Sequence, residues 1–301
     1  MRRPTTGLRA VSRRTRPTSR SAVRRLVVAR NLGEAFLLLV AATAVAGAIG
    51  WLVGGYRGLL LFAATAVLAA GAVYWYGDRF VLGMIRAREL PIAEAPGLHS
   101  TVERLSLRAE VVKPRLYLID DGYPLAFAVG RGPIGSTIAV SRGLLAAAPP
   151  AELEGLLAHE LAHVRTRDTV VQTIAVVIAA TLVELSRIGG FLERALLFVL
   201  GPIASAFVHL LLSPKREYRA DVEAARLCDS PHGLAAALTR LEQAAELVEF
   251  RESPATEPLY TINPFAEEGL GGLFVTHPPV EERIRRLREL DPDWRAKLRA
   301  A

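Results

Sequence analysis

His159-Glu160-Leu161-Ala162-His163 is the stretch whose reading decides this chain. On an α-helix, residues four apart lie one turn above each other on the same face. The two imidazoles can therefore hold one metal ion between them. Glu160, beside the first histidine, is placed to take a proton from a water at that metal. One spacing thus points to a helix, a metal, a nucleophile and a hydrolytic reaction together. Pro149-Pro150 marks the start of the helix, because proline suits a first helical turn.

A catalytic zinc takes three protein ligands and leaves a fourth position open. The leading candidate for the third is Glu217, in Arg216-Glu217-Tyr218-Arg219-Ala220-Asp221. Asp221 lies four residues on and shares its face. Metal-bound histidines usually pass their other N–H to a carboxylate, so Asp221 is a candidate to orient one of the two rings. Asp168 is another, although capping the following helix explains it equally well. His277, in Thr276-His277-Pro278-Pro279, is a candidate donor to the oxyanion of the reaction. Capping of the last helix by Thr276 or His277 competes with that role. With one Zn2+ per chain, the metal acidifies a water, and Glu160 removes its proton and returns it to the leaving amine. A His/His/Glu set favours zinc over other metals.

The setting of the motif comes from hydropathy and charge. The 301 residues are 51% hydrophobic, with formal net charge +7. Mean hydropathy is +0.28, high for a purely soluble protein. Ala35–Val53 and Leu59–Tyr76 are each long enough to cross a bilayer as a helix, and five residues separate them. Ten arginines precede the first run, and Arg79, Arg86 and Arg88 follow the second, so both ends of this hairpin are expected in the cytoplasm. Tyr74-Trp75-Tyr76 suits a membrane interface. The acid-free start of the chain, residues 1–33, reads as a disordered basic arm held at anionic lipid. A transit peptide and a nucleic-acid arm are its other readings, and no specific nucleic acid is expected. Two weaker apolar runs, Thr169–Ser186 and Phe191–Leu212, read as a second hairpin, either membrane-spanning or buried. Cys228 stands alone, which excludes an intrachain disulfide and a cysteine-rich metal site.

The expected organisation is therefore an arm (1–33), a transmembrane hairpin (34–77), a first catalytic segment (78–168), a second apolar hairpin (169–212) and a second catalytic segment (213–301). Short strands are expected near Pro114–Ile119, Leu125–Gly130 and Thr137–Ser141 among helices. The fold class is mainly α with a small β-sheet, α+β, joined to helical hairpins.

The HELAH motif, the Arg-Glu-Tyr-Arg-Ala-Asp segment after an apolar hairpin, and Thr-His-Pro-Pro before Glu281-Glu282-Arg283-Ile284 together resemble HtpX-type membrane zinc endopeptidases, relatives of the CAAX prenyl endopeptidases. The likeness runs over about residues 35–290. It implies a zincin-like (gluzincin) catalytic domain, multi-pass insertion in the plasma membrane, a cytoplasmic site, and polypeptide substrates among membrane or misfolded proteins. It also favours Glu217 as ligand and His277 as catalytic. Leu125-Ala126-Phe127-Ala128 departs from it, since the family usually has Asn-Ala-Phe-Ala in the edge strand where extended substrate pairs. Two other functions are open to these residues: an intramembrane zinc protease, opposed by the charges crowding the motif, and a zinc-binding scaffold without catalysis.

Overall fold

The computed structural model describes residues 19–188, 214–247, 278–291 and 293. Its first element, α1, runs Ser19–Met84 and folds back on itself at Gly54 and Gly55. Gly55 has φ +57, a conformation that costs a side-chained residue strain. Beyond the turn the two arms touch backbone to backbone at Gly50 and Gly58, where no Cβ would fit. Small residues permit this approach, as they do between helices in lipid. Outward-facing side chains of the hairpin are apolar and bare: Leu52, Leu61 and Leu68 are 84%, 65% and 75% exposed. The helix also begins earlier than expected. Residues 19–33, read from sequence as part of a disordered arm, are helical.

After α1 come β1 (Arg88–Glu89), α2 (Pro96–Ala109), β2 (Arg115–Ile119), β3 (Ala126–Gly130) and β4 (Ser136–Ser141). The sheet order is β1-β2-β4-β3, with β2 parallel to β4 and the other pairs antiparallel. The three expected strands are present. Only β1 is additional, too short to leave a periodic signal. Both faces of β3 and β4 are buried. One face meets α2 and α4 through Ala126, Ala128, Ile138 and Val140. The other meets the end of α1 and α5 through Leu125, Phe127, Val129 and Ala139. Period-2 alternation sends neighbouring residues to opposite sides.

Six further helices follow among the described residues: α3 (Arg142–Ala147), α4 (Pro150–Thr166), α5 (Asp168–Ile188), α6 (Pro214–Leu227), α7 (His232–Leu247) and α8 (Val280–Glu289). Helix α4 is the pivot, buried continuously from Gly155 to Val164. Gly155 lets it cross α7, since a Cβ there would collide with the backbone of Leu234. The third apolar run is helical as α5, and Val170, Val171, Ile174 and Ala175 pack it against Ala35 and Leu38 of α1. The fourth run, 191–212, lies outside the described residues.

Candidate metal centre

Helix α4 delivers His159 and His163 to one side of the core, and α6 delivers Glu217 opposite them. All three are buried, at 1%, 3% and 5% exposure. His159 Nε2 and His163 Nε2 are 3.1 Å apart. Glu217 Oε2 lies 3.5 Å from the first and Glu217 Oε1 3.4 Å from the second. Donors about 2.0–2.1 Å from a tetrahedral zinc stand about 3.3 Å from one another, so this triangle fits that ion.

The hydrogen-bonding pattern argues for a cation independently of the spacing. Asp221 Oδ1 is 3.0 Å from His159 Nδ1, and Asp168 Oδ2 is 3.3 Å from His163 Nδ1. Carboxylates accept, so each ring turns Nδ1 toward an aspartate and Nε2 toward the shared point. Two imidazole Nε2 atoms and a carboxylate then converge on one point in a water-poor interior. Such a set attracts a cation, and the Arg283 guanidinium borders it, with Nη2 3.4 Å from His159 Nε2.

Asp221 thus lies beside His159, and Asp168 beside His163. Asp168 reaches its ring because Arg167, at φ 62, ends α4 in a left-handed turn and starts α5 at once. Burial opposes charge on Asp168, but His163 and Arg216 hold its carboxyl below the ordinary range. Burial likewise opposes charge on Asp221, and Arg283 with His159 holds it low. Burial would lower His159, yet Asp221 and Glu217 raise its pKa to about 9. Those two carboxylates favour a positive charge at this ring.

Arg283 is a member of the centre that sequence reasoning placed only within a motif. It is fully buried and holds Asp221 through Nε at 2.9 Å and Nη2 at 2.7 Å, a two-pronged grip. Its Nη1 lies 3.4 Å from Glu217 Oε2. The signal was present in α8, where Val280, Arg283, Ile284 and Leu287 form one buried stripe with an arginine inside it.

Glu160 is 4% exposed beside the two histidines, and burial raises its pKa above the usual carboxylate range. The backbone N–H of Ala128 donates to it. That N–H lies on the side of β3 away from β4. Ser141 N–H donates to Leu125 C=O, so the β3–β4 ladder uses the groups of Leu125, Phe127 and Val129, and those of Ala126 and Ala128 face away from β4. Leu125, at the family's asparagine position, is buried on the α1 side of the sheet with Phe127 and Val129. His277 lies outside the described residues.

The profile of Peptidase family M48 matches residues 93–291. The chain belongs to peptidase family M48. The match spans the candidate site residues from His159 to Arg283. Curated relatives extend the likeness into the hairpin. The chain is 38% identical over 272 residues to a "Protease HtpX homolog" of Pelotomaculum thermopropionicum, covering 84% of this chain and 97% of that one. It is 40% identical over 268 residues to one from Aquifex aeolicus, covering 81% and 87%. A further such protein, from Pyrococcus abyssi, is 38% identical over 271 residues, covering 84% and 94%. Among solved structures, that of S. mikatae Ste24p aligns with TM-score 0.49 and 16% identity over 90% of this chain and 66% of that one.

Proposed function

We infer that this M48 protein is a membrane-anchored zinc endopeptidase that hydrolyses peptide bonds in membrane or misfolded proteins. The observation carrying this reading is the convergence of His159 Nε2, His163 Nε2 and the Glu217 carboxylate on one buried point next to Glu160. His159, His163 and Glu217 would hold the ion, which when bound supplies Lewis acidity toward a water and a peptide carbonyl. Glu160 serves as general base, taking the proton of the attacking water and passing it to the leaving amine. Its burial favours this task, because a carboxylate of raised pKa accepts a proton more readily. Asp168 and Asp221 keep both rings oriented through the reaction. β3 is the edge strand of the sheet beside Glu160, and an extended substrate would run along it. His277 is the candidate donor to the developing oxyanion.

Anchoring is supported by the bare apolar hairpin. Each arm has the length of a bilayer crossing, and Tyr74, Trp75 and Tyr76 sit where the second arm returns toward the sheet. Arg131, at the end of β3, lies 4.5 Å from the Trp75 ring. The catalytic helix itself carries ion pairs, Glu154 with Arg104 and Glu152 with Arg240, whose arginines reach the surface, which favours an aqueous setting for α4 over a lipid one. Asn31, at the start of the first arm, touches Asp168. The metal centre therefore shares its side of the membrane with the arginine-rich N-terminus, the cytoplasmic side by the charge rule.

The test is reversible zinc dependence. Full-length protein in detergent should cleave an unfolded substrate such as casein, stop after chelation, and recover when one equivalent of zinc is restored. Cleavage that persists in the zinc-free protein would overturn the reading.

A further inference from the structure

The start of α1 reaches farther into the protein than an anchor needs to. Asn31 is wholly buried although it lies upstream of the apolar run. Its Nδ2 donates to Asp168 Oδ1 at 2.6 Å and to the Thr166 carbonyl at 2.8 Å. Both partners are acceptors, which settles the amide orientation. One turn on, Glu34 pairs with Arg216, and Arg30 Nε holds Glu34 Oε1 at 3.0 Å. Arg216 is 2% exposed, immediately precedes Glu217, and places Nη1 3.4 Å from Asp168 Oδ1.

Asp168 is therefore fixed from two directions. Its Oδ2 faces His163 Nδ1 and accepts from Thr166 Oγ1 at 2.6 Å. Its Oδ1 is held by Asn31 and faced by Arg216. A carboxylate orients an imidazole only as firmly as it is itself held, and partners of this kind contribute strongly to metal affinity. We propose that the membrane-proximal end of α1 is a positioning element of the metal centre: Asn31, with Glu34 acting through Arg216, holds Asp168 and through it the His163 ring. The metal centre is thereby complete only when the first membrane helix is docked on α4 and α5. Metal loading is coupled to correct seating of the hairpin, and a free catalytic segment lacks part of its ligand support.

The proposal rests on the zinc reading above, and one experiment separates the two. Zinc affinity is measured by chelator competition on full-length protein in detergent, alongside the melting temperature of the zinc-free form. Three variants are compared with wild type. Asn31→Leu keeps bulk and helix propensity but removes the donor. Asn31→Asp sets a carboxylate against Asp168. Ile174→Ala loosens the packing of α5 on α1 two turns from the polar network. Asn31→Leu should weaken zinc binding about tenfold, and Asn31→Asp more, even where the zinc-free protein also melts lower. Ile174→Ala should lower the melting temperature and leave zinc affinity unchanged. Wild-type affinity in both Asn31 variants overturns the proposal. So does an equal loss of affinity in Ile174→Ala, which would make the effect one of general packing. A wild-type protein that binds no zinc defeats the zinc reading itself.

Discussion

At the scale of single residues, Arg283 carries the heaviest electrostatic duty among the described groups. It is the buried cation opposite Asp221, within 3.4 Å of Glu217. Its own charged form is favoured despite full burial, because those carboxylates outweigh the desolvation. Replacing one partner of such a buried network strands the others. Arg283→Met should destabilise the zinc-free protein by about 3–5 kcal/mol in denaturant unfolding. A loss below about 1 kcal/mol would show that Asp221 is balanced by other groups. The contrast with the ligands explains what sequence could disclose. His159 and His163 are related by helix geometry alone, and Asp221 follows Glu217 by the same four-residue step. Arg283 acquires its meaning from a contact 62 residues distant, and Asn31 from one 137 residues distant. No local spacing encodes either. Leu125 shows the complementary case, since its departure from the family pattern was visible at once, while its burial on the far face of the sheet depends on the register with β4.

Among the elements, α4 is held in place by what it crosses. Gly155 and Gly233 bring α4 and α7 together closely enough that a Cβ on either meets backbone. Gly155→Leu should therefore push the helices apart, lower the melting temperature by several degrees and reduce zinc affinity by displacing both histidines at once. Unchanged zinc affinity would mean that α6 and α5 alone fix the position of α4. The same scale accounts for the largest difference between expectation and structure, the early start of α1. Residues 19–33 show no apolar periodicity, and an isolated arginine-rich segment is a poor helix. In the folded protein, Asn31 and Glu34 gain partners on α4, α5 and α6 that the isolated segment lacks, and tertiary contact of this kind supplies most helix stability in proteins. The strands of the sheet were legible as short β-rich runs between turn residues, whereas their order, with β4 inserted between β2 and β3, is set by packing that no single run records.

For the whole molecule, the proposed reading places the apolar hairpin's ends, the candidate metal centre and the edge strand β3 on one side of a bilayer. Topology gives a direct expectation. Cysteines introduced at Arg25 and at Glu154, in a Cys228→Ser background, should both resist a membrane-impermeant maleimide in intact cells and both react after permeabilisation. Labelling of only one from outside would contradict a shared cytoplasmic side. The chemistry has a more immediate test in Glu160, the proposed base, which lies outside the His159, His163 and Glu217 ligand set. Zinc-loaded wild type and zinc-loaded Glu160→Gln are compared in detergent for cleavage of an unfolded polypeptide, with metal content measured on both. Equal zinc content and a loss of about 10²–10⁴-fold in turnover for Glu160→Gln is the predicted result. Equal cleavage by the two proteins would contradict the assignment of Glu160, and with it the hydrolytic role of His159-Glu160-Leu161-Ala162-His163.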